Sequence, residues 1–558
     1  MARHRTIAIF VNVLILLSAS VWACRNLLYE GFHQGHDLSI ELVRLAEYTQ
    51  ALKDGQVPVR WSANLYGGYG SPIFNFFPPL FLTLAALFKL SGLSLIVATK
   101  WTIFIFTLFG GLGMYLLAKE FYGERGSIFC ASLYLLAPYH LVDIYVRNAF
   151  SEYSAMMIVP FVFYSLTLIL KNKNPSPASN FLLITSGTLL CLSHNLSLMM
   201  YGPILIAYAL FGMTLYQNPG RIKNLVTSGL AIFCLSAFYM LPLIFEQKFI
   251  QTQWLTAEQF QAHRNLFGPD LLFSLNHWGS ILPYGAILLS LSLLLLIRRK
   301  DLSRVLLAKL ALFGIFLGGL IFLMMPVSER LWEEIDFLKI FQFPWRLMSP
   351  ASFIFCLEAG FLIFHSRPNK DLRHMLIMII ALLGIGLFMA QYPSSFGSRA
   401  VIQDRELAPE EIRQKQFRAT ILDEYRPRWA VKPPQPPIRE QWITSEPAVS
   451  MRSLLEKPTK IEYQCSVPEK SLSTVHVFYF PGWNVSLDEK AVAFDITPEG
   501  LIRFPIEKGK RKVVIQFEKT PIRTAANSIS IVGLILYAGL AARSLLRFRQ
   551  RHFANPST

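Results

Sequence analysis

Two short stretches concentrate the residues able to do chemistry. The first reads GFHQGHDLSIELVRLAEYTQALKDGQVPVRWSANLYGGYGSPIFNFFPPL and sets His36 and Asp37 directly before a helix-period run from Leu38 to Leu52. Asp37 is an N-cap by position, where a carboxylate accepts the orphan N–H groups of a first turn and complements the helix dipole. Around it stand Glu41, Arg44, Arg60 and Trp61, a GGYGSP turn and a run of aromatics. The second stretch, HLVDIYVRNAFSE, holds His140, Asp143, Arg147 and Glu152. Asp143 and Arg147 lie four apart, so on a helix both project one way, into a shared cavity. A solvated loop accommodates the same charges, and density alone leaves both readings open.

The elements that position these residues must sit in lipid. Of 558 residues, 53% are apolar and only 16% charged, against roughly 25% charged in ordinary globular domains. A mean hydropathy of +0.39 over this length cannot be hidden in one core, whose growth stops at about 300 residues. Forty-four Phe, 21 Tyr and 10 Trp beside only 6 Cys exclude disorder, coiled coil, collagen and a disulfide scaffold together. The 53 basic and 36 acidic residues leave +17, which in a soluble protein would suggest nucleic acid. Multi-pass proteins instead gather Lys and Arg in short cytoplasmic loops, so no nucleic-acid partner is expected.

Apolar runs predict twelve spans, near 7–24, 100–118, 127–139, 154–170, 181–193, 196–216, 225–244, 281–297, 305–325, 350–365, 374–390 and 527–546. With both termini cytoplasmic, the cytoplasmic segments hold nineteen basic and four acidic residues, whereas the outer loops 25–73, 140–153, 246–280 and 326–349 hold ten and fourteen. That partition obeys the positive-inside rule. A thirteenth span at 78–90 would spoil it, so PPLFLTLAALFKL is expected as an interfacial or re-entrant helix on the outer side. Three units follow: a transmembrane domain over 1–390, an extracytoplasmic domain over 391–525 that is β-rich from about 458, and a last span with a basic tail over 526–558. In STVHVFYFPGWNVSLDEKAVAFD and GLIRFPIEKGKRKVVIQFEK apolar residues alternate between turn signals, as an antiparallel sandwich requires.

GHDLSIELVR, LKDGQVPVRWSANLYGGYGSPIFNFFPPL, APYHLVDIYVRNAFSE, LKIFQFPWRLMSP and FYFPGWNVSLDEK together resemble the bacterial integral membrane proteins known as 6-pyruvoyl-tetrahydropterin-synthase-related. Their plan is similar to that of the GT-C glycosyltransferases, including the YfhO-like proteins. The resemblance implies a helical polytopic GT-C fold in a bacterial inner membrane and transfer of a sugar from a polyprenyl-phosphate donor, drawn from the membrane lipid, to an extracytoplasmic acceptor. It implies that Asp37 is the general base of an inverting displacement on the outer face, with Asp143 the second acidic position, holding acceptor or metal. Phosphate recognition falls to Arg346 in FQFPWRLMSP, because a guanidinium fork matches phosphate oxygens, with Arg147 as second choice. His36, Glu152, His194 and Trp61 complete the expected binding set.

The cofactor stays unknown, a divalent cation being the candidate, and an isolated carboxylate pair is weak evidence for one. Glu41 stands where the family commonly has His, and no DxD-type tandem appears. Arg346 has interfacial snorkelling as its bland alternative, and His194 a helix-turn role. Two other classes fit a many-spanned chain with boundary charges: a transporter, and a non-catalytic protein of envelope glycan assembly. Transporters place charge near the midplane and often show two similar halves, neither of which is evident here.

Overall fold

The computed structural model describes residues 2–252, 265–268, 303–364, 398–418, 420 and 423–553. Helix α1 (Ala2–Ala23) leads into the first loop, which carries α2 (Leu38–Lys53) and α3 (Pro79–Leu90). Helix α4 (Leu95–Leu135) is broken at Gly123, whose φ of 67° and ψ of −164° lie outside helical space, and its two arms fold back with Gly111 against Leu135. Then come α5 (Pro138–Val142), α6 (Phe150–Lys171), α7 (Pro177–Cys191), α8 (Asn195–Leu215), α9 (Arg221–Glu246), α10 (Arg304–Met324), α11 (Met348–Phe364) and α12 (Pro521–Phe553).

Among the described residues, seven helices are long and apolar enough to cross a membrane, and Phe10–Ala23, Pro79–Leu90 and Pro177–Cys191 are shorter apolar helices. The spans expected near 281–297 and 374–390 lie outside the described residues. The 78–90 run forms the twelve-residue α3, too short for the roughly 20 residues a bilayer requires.

Charged residues gather at both ends of the bundle. At one end Lys171 pairs with Glu120 at 3.0 Å, Lys119 with Glu124, and the Lys309 ammonium lies 4.0 Å from the Phe121 ring centre. The first loop, the 138–150 turn, the start of α8 and the approach to α11 meet at the other.

The C-terminal β-structure consists of two antiparallel sheets. Strands β3 (Ile443–Glu446), β6 (Ser471–Phe478), β10 (Leu501–Ile506) and β9 (Asp495–Ile496) pair in the order 3-6-10-9. Strands β4 (Ser450–Lys457), β5 (Lys460–Val467), β11 (Gly509–Phe517), β7 (Trp483–Leu487) and β8 (Lys490–Ala491) pair in the order 4-5-11-7-8. Val475, Ile502 and Phe504 from the first sheet and Ile461, Val513 and Ile515 from the second are completely buried. The β-structure starts at Ile443 rather than near 458, because most side chains of β4 face water and the strand lacks the apolar alternation by which it could be read.

The expected boundary at 390 is bridged by backbone. Strand β1 (Phe32–His33) pairs with β2 (Arg399–Ala400), joining Phe32 to Ala400 and His33 to Arg399. Further along the first loop, the Tyr66 N–H donates to the Phe417 carbonyl, the Arg439 N–H to Gly67 and the Phe478 N–H to Tyr69, each at 2.8 Å. The GGYG turn permits this approach. Gly67 has φ 66°, and a Cβ there would stand 2.1 Å from the Pro437 carbonyl oxygen.

Candidate active site

A backbone strap places Asp37. The His36 N–H donates to the Val146 carbonyl at 2.9 Å and the Asp37 N–H to the Arg147 carbonyl at 3.0 Å. Gly35 is needed because a Cβ there would lie 2.1 Å from Asn148 Oδ1 and 2.3 Å from the Val146 oxygen. Asn148 takes the left-handed conformation, φ 58°, that turns the chain back after Arg147. The first loop is thus zipped to the second, and Asp37 enters α2 directly beside Arg147.

Asp37 occupies the N-cap position but its side chain makes no capping hydrogen bond. The expected cap is therefore corrected: Asp37 accepts the Glu41 N–H through its backbone carbonyl at 2.9 Å, and its half-buried carboxylate is left unengaged. His36 beside it is exposed.

The second loop winds as a π-turn over Asp143–Arg147, the wide helical form that recurs at functional sites. It brings Asp143, Arg147 and, from the first turn of α6, Glu152 into one buried cluster, exposed by 0%, 7% and 1% respectively. Arg147 Nη1 donates to Asp143 Oδ1, to Glu152 Oε2 at 2.8 Å and to the Tyr139 hydroxyl at 2.9 Å. The Tyr139 hydroxyl donates to Glu152 Oε1 at 2.7 Å. The Arg147 guanidinium also lies over the Trp345 ring at 4.6 Å. Asp143 Oδ2 is buried without a partner. Arg147 is therefore neutralised by its own chain, and a phosphate would compete with two carboxylates for it.

Arg346 differs. It donates from Nη1 to the Phe341 carbonyl at 3.1 Å and to Gln342 Oε1 at 3.0 Å, it makes no ion pair among the described residues, and its Nε is buried and unbonded. Burial and the Arg147 charge draw its pKa down, while Glu152, Tyr139 and Asp37 act in the opposite sense. The Asp37 carboxylate thus lies near enough to act on the Arg346 charge. His194 caps α8, its Nδ1 accepting the Ser197 N–H at 3.2 Å. Burial pulls its pKa down to about 4 against the opposing pull of Glu152, so it stands neutral at pH 7.

Glu41, 6% exposed, pairs with Arg44 at 2.6 Å and leaves Oε2 unbonded. Burial raises its pKa to about 7, Arg44 opposing and Asp37 adding to the rise. Arg44 stacks its guanidinium 4.4 Å from the Phe77 ring centre.

Trp61 does not join this group. It is 1% exposed and packs edge-on to Trp483 at 5.4 Å and against Phe517 at 5.2 Å. Its ring joins the first loop to the β-domain and has no face left for a sugar, which corrects the expected binding role. Tyr139 and Trp345 were missed as site residues. Tyr139 stands four before Asp143, the same spacing that singled out Arg147, and that signal was available in APYHLVD. Among the described residues no group of three or more His, Cys, Asp or Glu is placed to hold a metal ion. With Asp143 engaged by Arg147, the Asp37 and Asp143 pair does not fit the candidate divalent cation.

A polytopic helical bundle with a charged site at one end and a β-domain pinned beside it is an integral membrane protein. The chain belongs to the 6-pyruvoyl-tetrahydropterin synthase related family of membrane proteins, whose family model matches residues 74–382. An uncharacterized protein of Lactococcus lactis subsp. cremoris (strain MG1363) is 25% identical over 248 residues, covering 42% of this chain and 39% of that protein. Solved structures with a similar outline are GT-C glycosyltransferases. ArnT from Cupriavidus metallidurans bound to undecaprenyl phosphate is 14% identical with a TM-score of 0.44, over 69% of this chain and 64% of that one. The Archaeoglobus fulgidus oligosaccharyltransferase is 15% identical with a TM-score of 0.41, over 70% and 56%. The mycobacterial arabinofuranosyltransferase AftD is 14% identical with a TM-score of 0.40, over 70% and 28%. The chain spans less than two thirds of the length of each of these proteins.

Proposed function

We propose that this protein is a GT-C-type glycosyltransferase of the bacterial inner membrane, with both termini cytoplasmic and its site on the outer face. It moves a sugar from a polyprenyl-phosphate donor to an extracytoplasmic acceptor: a cell-surface glycan, a lipid or a protein. The observation that carries the reading is the presence at one end of a membrane bundle of a carboxylate, Asp37, and a guanidinium, Arg346, neither of which makes an ion pair among the described residues.

The division of roles follows from which groups are already engaged. Asp37 takes the proton of an acceptor hydroxyl as that oxygen forms a bond to the anomeric carbon. The bond from that carbon to the phosphate oxygen breaks on the opposite side, and polyprenyl phosphate leaves with the electron pair. One displacement inverts the anomeric configuration. Arg346 meets the phosphate charge, which is present in the ground state and grows as the sugar departs. Asp143, Arg147 and Glu152 form a closed ion cluster beneath, and its task is to hold the carbonyl of Arg147 where it fixes Asp37. Neutral His194 is a hydrogen-bonding wall rather than a competing cation.

The test is mass spectrometry of lipid-linked sugars and surface glycans in a strain lacking the protein. One lipid-phosphate sugar should accumulate and one glycan decoration disappear, with recovery by the wild-type chain and not by Asp37→Asn. Unchanged lipid-linked sugars and glycans would refute the enzyme reading and leave the transporter and assembly readings standing.

A further inference from the structure

A second charged site lies where the first loop, the β-domain and the last span meet, and it shares no side chain with the candidate active site. It is a cavity of about 200 Å³ whose lining includes Arg60, Lys519, Arg523 and Asn527 together with Asp54 and Glu518. Arg60 is 8% exposed. Its Nη2 donates to the Phe238 carbonyl at 2.6 Å and to Asn527 Oδ1 at 3.2 Å, while Nε and Nη1 have no hydrogen-bond partner among the described residues.

Among the described residues the buried charge here does not balance, Glu246 being its one buried carboxylate. Arg523, 1% exposed, donates from Nε to Glu246 Oε2 at 3.0 Å and holds the same oxygen with Nη2 at 2.9 Å. Thr520 donates to Glu246 Oε1 at 2.7 Å. The one buried carboxylate is thus engaged by Arg523 and Thr520, and Arg60 is left as a buried cation facing another cation. Burial, with Arg523 beside it, pulls the Arg60 pKa down to about 10. Asp54, half-buried, and Glu518, exposed, make no ion pair with Arg60 among the described residues; they accept instead from Gln50 at 3.0 Å and Asn484 at 2.7 Å. An unpaired buried charge is costly and calls for an anion.

The position of the cavity says where that anion comes from. It opens at the first turns of α12, whose candidate span starts at Pro521 and has only 6% of its most apolar stretch buried. Ile531, Val532, Leu534 and Ile535 on that helix, and Ile244 and Phe245 on α9, are all exposed. An apolar belt of this kind meets acyl chains, so the level just above it is that of lipid headgroups.

We propose that the cavity binds the phosphate of an anionic membrane lipid, with Arg60 and Asn527 as its donors. A lipid seated there would join loop, β-domain and last span. The test is native mass spectrometry of the full chain purified in detergent and titrated with phosphatidylglycerol, with phosphatidylcholine or inorganic phosphate in parallel. One phosphatidylglycerol should be retained per chain. Its affinity should fall about tenfold or more in Arg60→Gln, the scale of a lost charge-assisted hydrogen bond, and also fall in Asn527→Leu. The exposed β10 variant Arg503→Gln should bind as wild type. Asn527→Leu, on the lipid-facing helix, keeps the test decisive if Arg60→Gln does not fold. Equal retention by wild type and either folded variant overturns the site. Occupancy by inorganic phosphate at the same affinity overturns the lipid as its source.

Discussion

Replacing Asp37 with Asn separates a base from a cap, and the structure sets both magnitudes. A capping side chain that loses its bond typically costs about 1 kcal/mol, but Asp37 makes no such bond. The strap that holds it uses its N–H, which Asn retains. Stability should therefore change by less than about 0.5 kcal/mol, the range of surface substitutions. The small change should be favourable, because removing the charge relieves Glu41, whose pKa Asp37 helps to raise. Transfer should fall by about 10²- to 10⁴-fold, the usual effect of a general base, equivalent to roughly 3 to 5 kcal/mol of barrier. The assay is transfer from a polyprenyl-phosphate sugar by the chain in liposomes, with thermal unfolding of the same preparation. Near-normal transfer by the Asn variant would refute the assignment, and so would a rate loss explained by an equal loss of folded protein.

Arg346→Gln should raise KM for the lipid donor by about tenfold or more with a smaller fall in kcat, because its contact is made in the ground state; a kcat loss at constant KM would contradict phosphate binding. Gly35→Ala should force the strap apart, since its Cβ would stand 2.1 Å from Asn148 Oδ1, and should cut transfer about tenfold or more through misplacement of Asp37; unchanged transfer would show that the strap does not position the site. Glu41 contributes a pH dependence of known sign: with its folded pKa raised to about 7 from the ordinary 4.5 of a glutamate, the penalty is absent below about pH 4.5, grows as pH rises, and is complete above about 7. Glu41→Gln should therefore gain up to about 3 kcal/mol at pH 8 and nothing at pH 4, as read by thermal unfolding at the two pH values. Trp61→Ala should cost about 3 to 5 kcal/mol and render the β-domain protease-sensitive while the bundle stays inserted; an unchanged digestion pattern would show that the ring does not hold the domain.

What the sequence made legible was whatever leaves a periodic or compositional trace. Helices long enough to span announce themselves by length and apolarity, as Phe150–Lys171 and Arg304–Met324 do. Strands β5, β6, β10 and β11 alternate because one face of each is buried. Strand β4 escaped because its faces are nearly equally wet. The site was legible as two charged stretches, but not as a geometry. Nothing local to GHDL or YVRN says that the two backbones pair, since a two-residue zipper carries no pattern beyond a glycine. Trp61 was misread for the same reason: a tryptophan that clamps a domain and one that brackets a sugar are the same letter until their neighbours are known.

The unequal use of the site's charges explains why the first loop is so heavily tied down. Asp143, Arg147 and Glu152 pair with one another in the bundle, with only Asp143 Oδ2 left without a hydrogen bond among the described residues. Asp37 and Arg346 make no ion pair among the described residues, and two such groups stay useful only if the backbone prevents them from finding partners. For Asp37 that restraint is distributed: Phe32 and His33 pair with Arg399 and Ala400, Gly35 through Asp37 lie against the second loop, and Tyr66 through Tyr69 are hydrogen-bonded to residues between Phe417 and Phe478. The β-domain is therefore part of what keeps the loop in register. A carboxylate free to swing would be drawn to Arg346, whose charge it already feels. The Asp37 N–H held by the Arg147 carbonyl opposes that swing, which in the proposed mechanism keeps the two groups available to a hydroxyl and a phosphate.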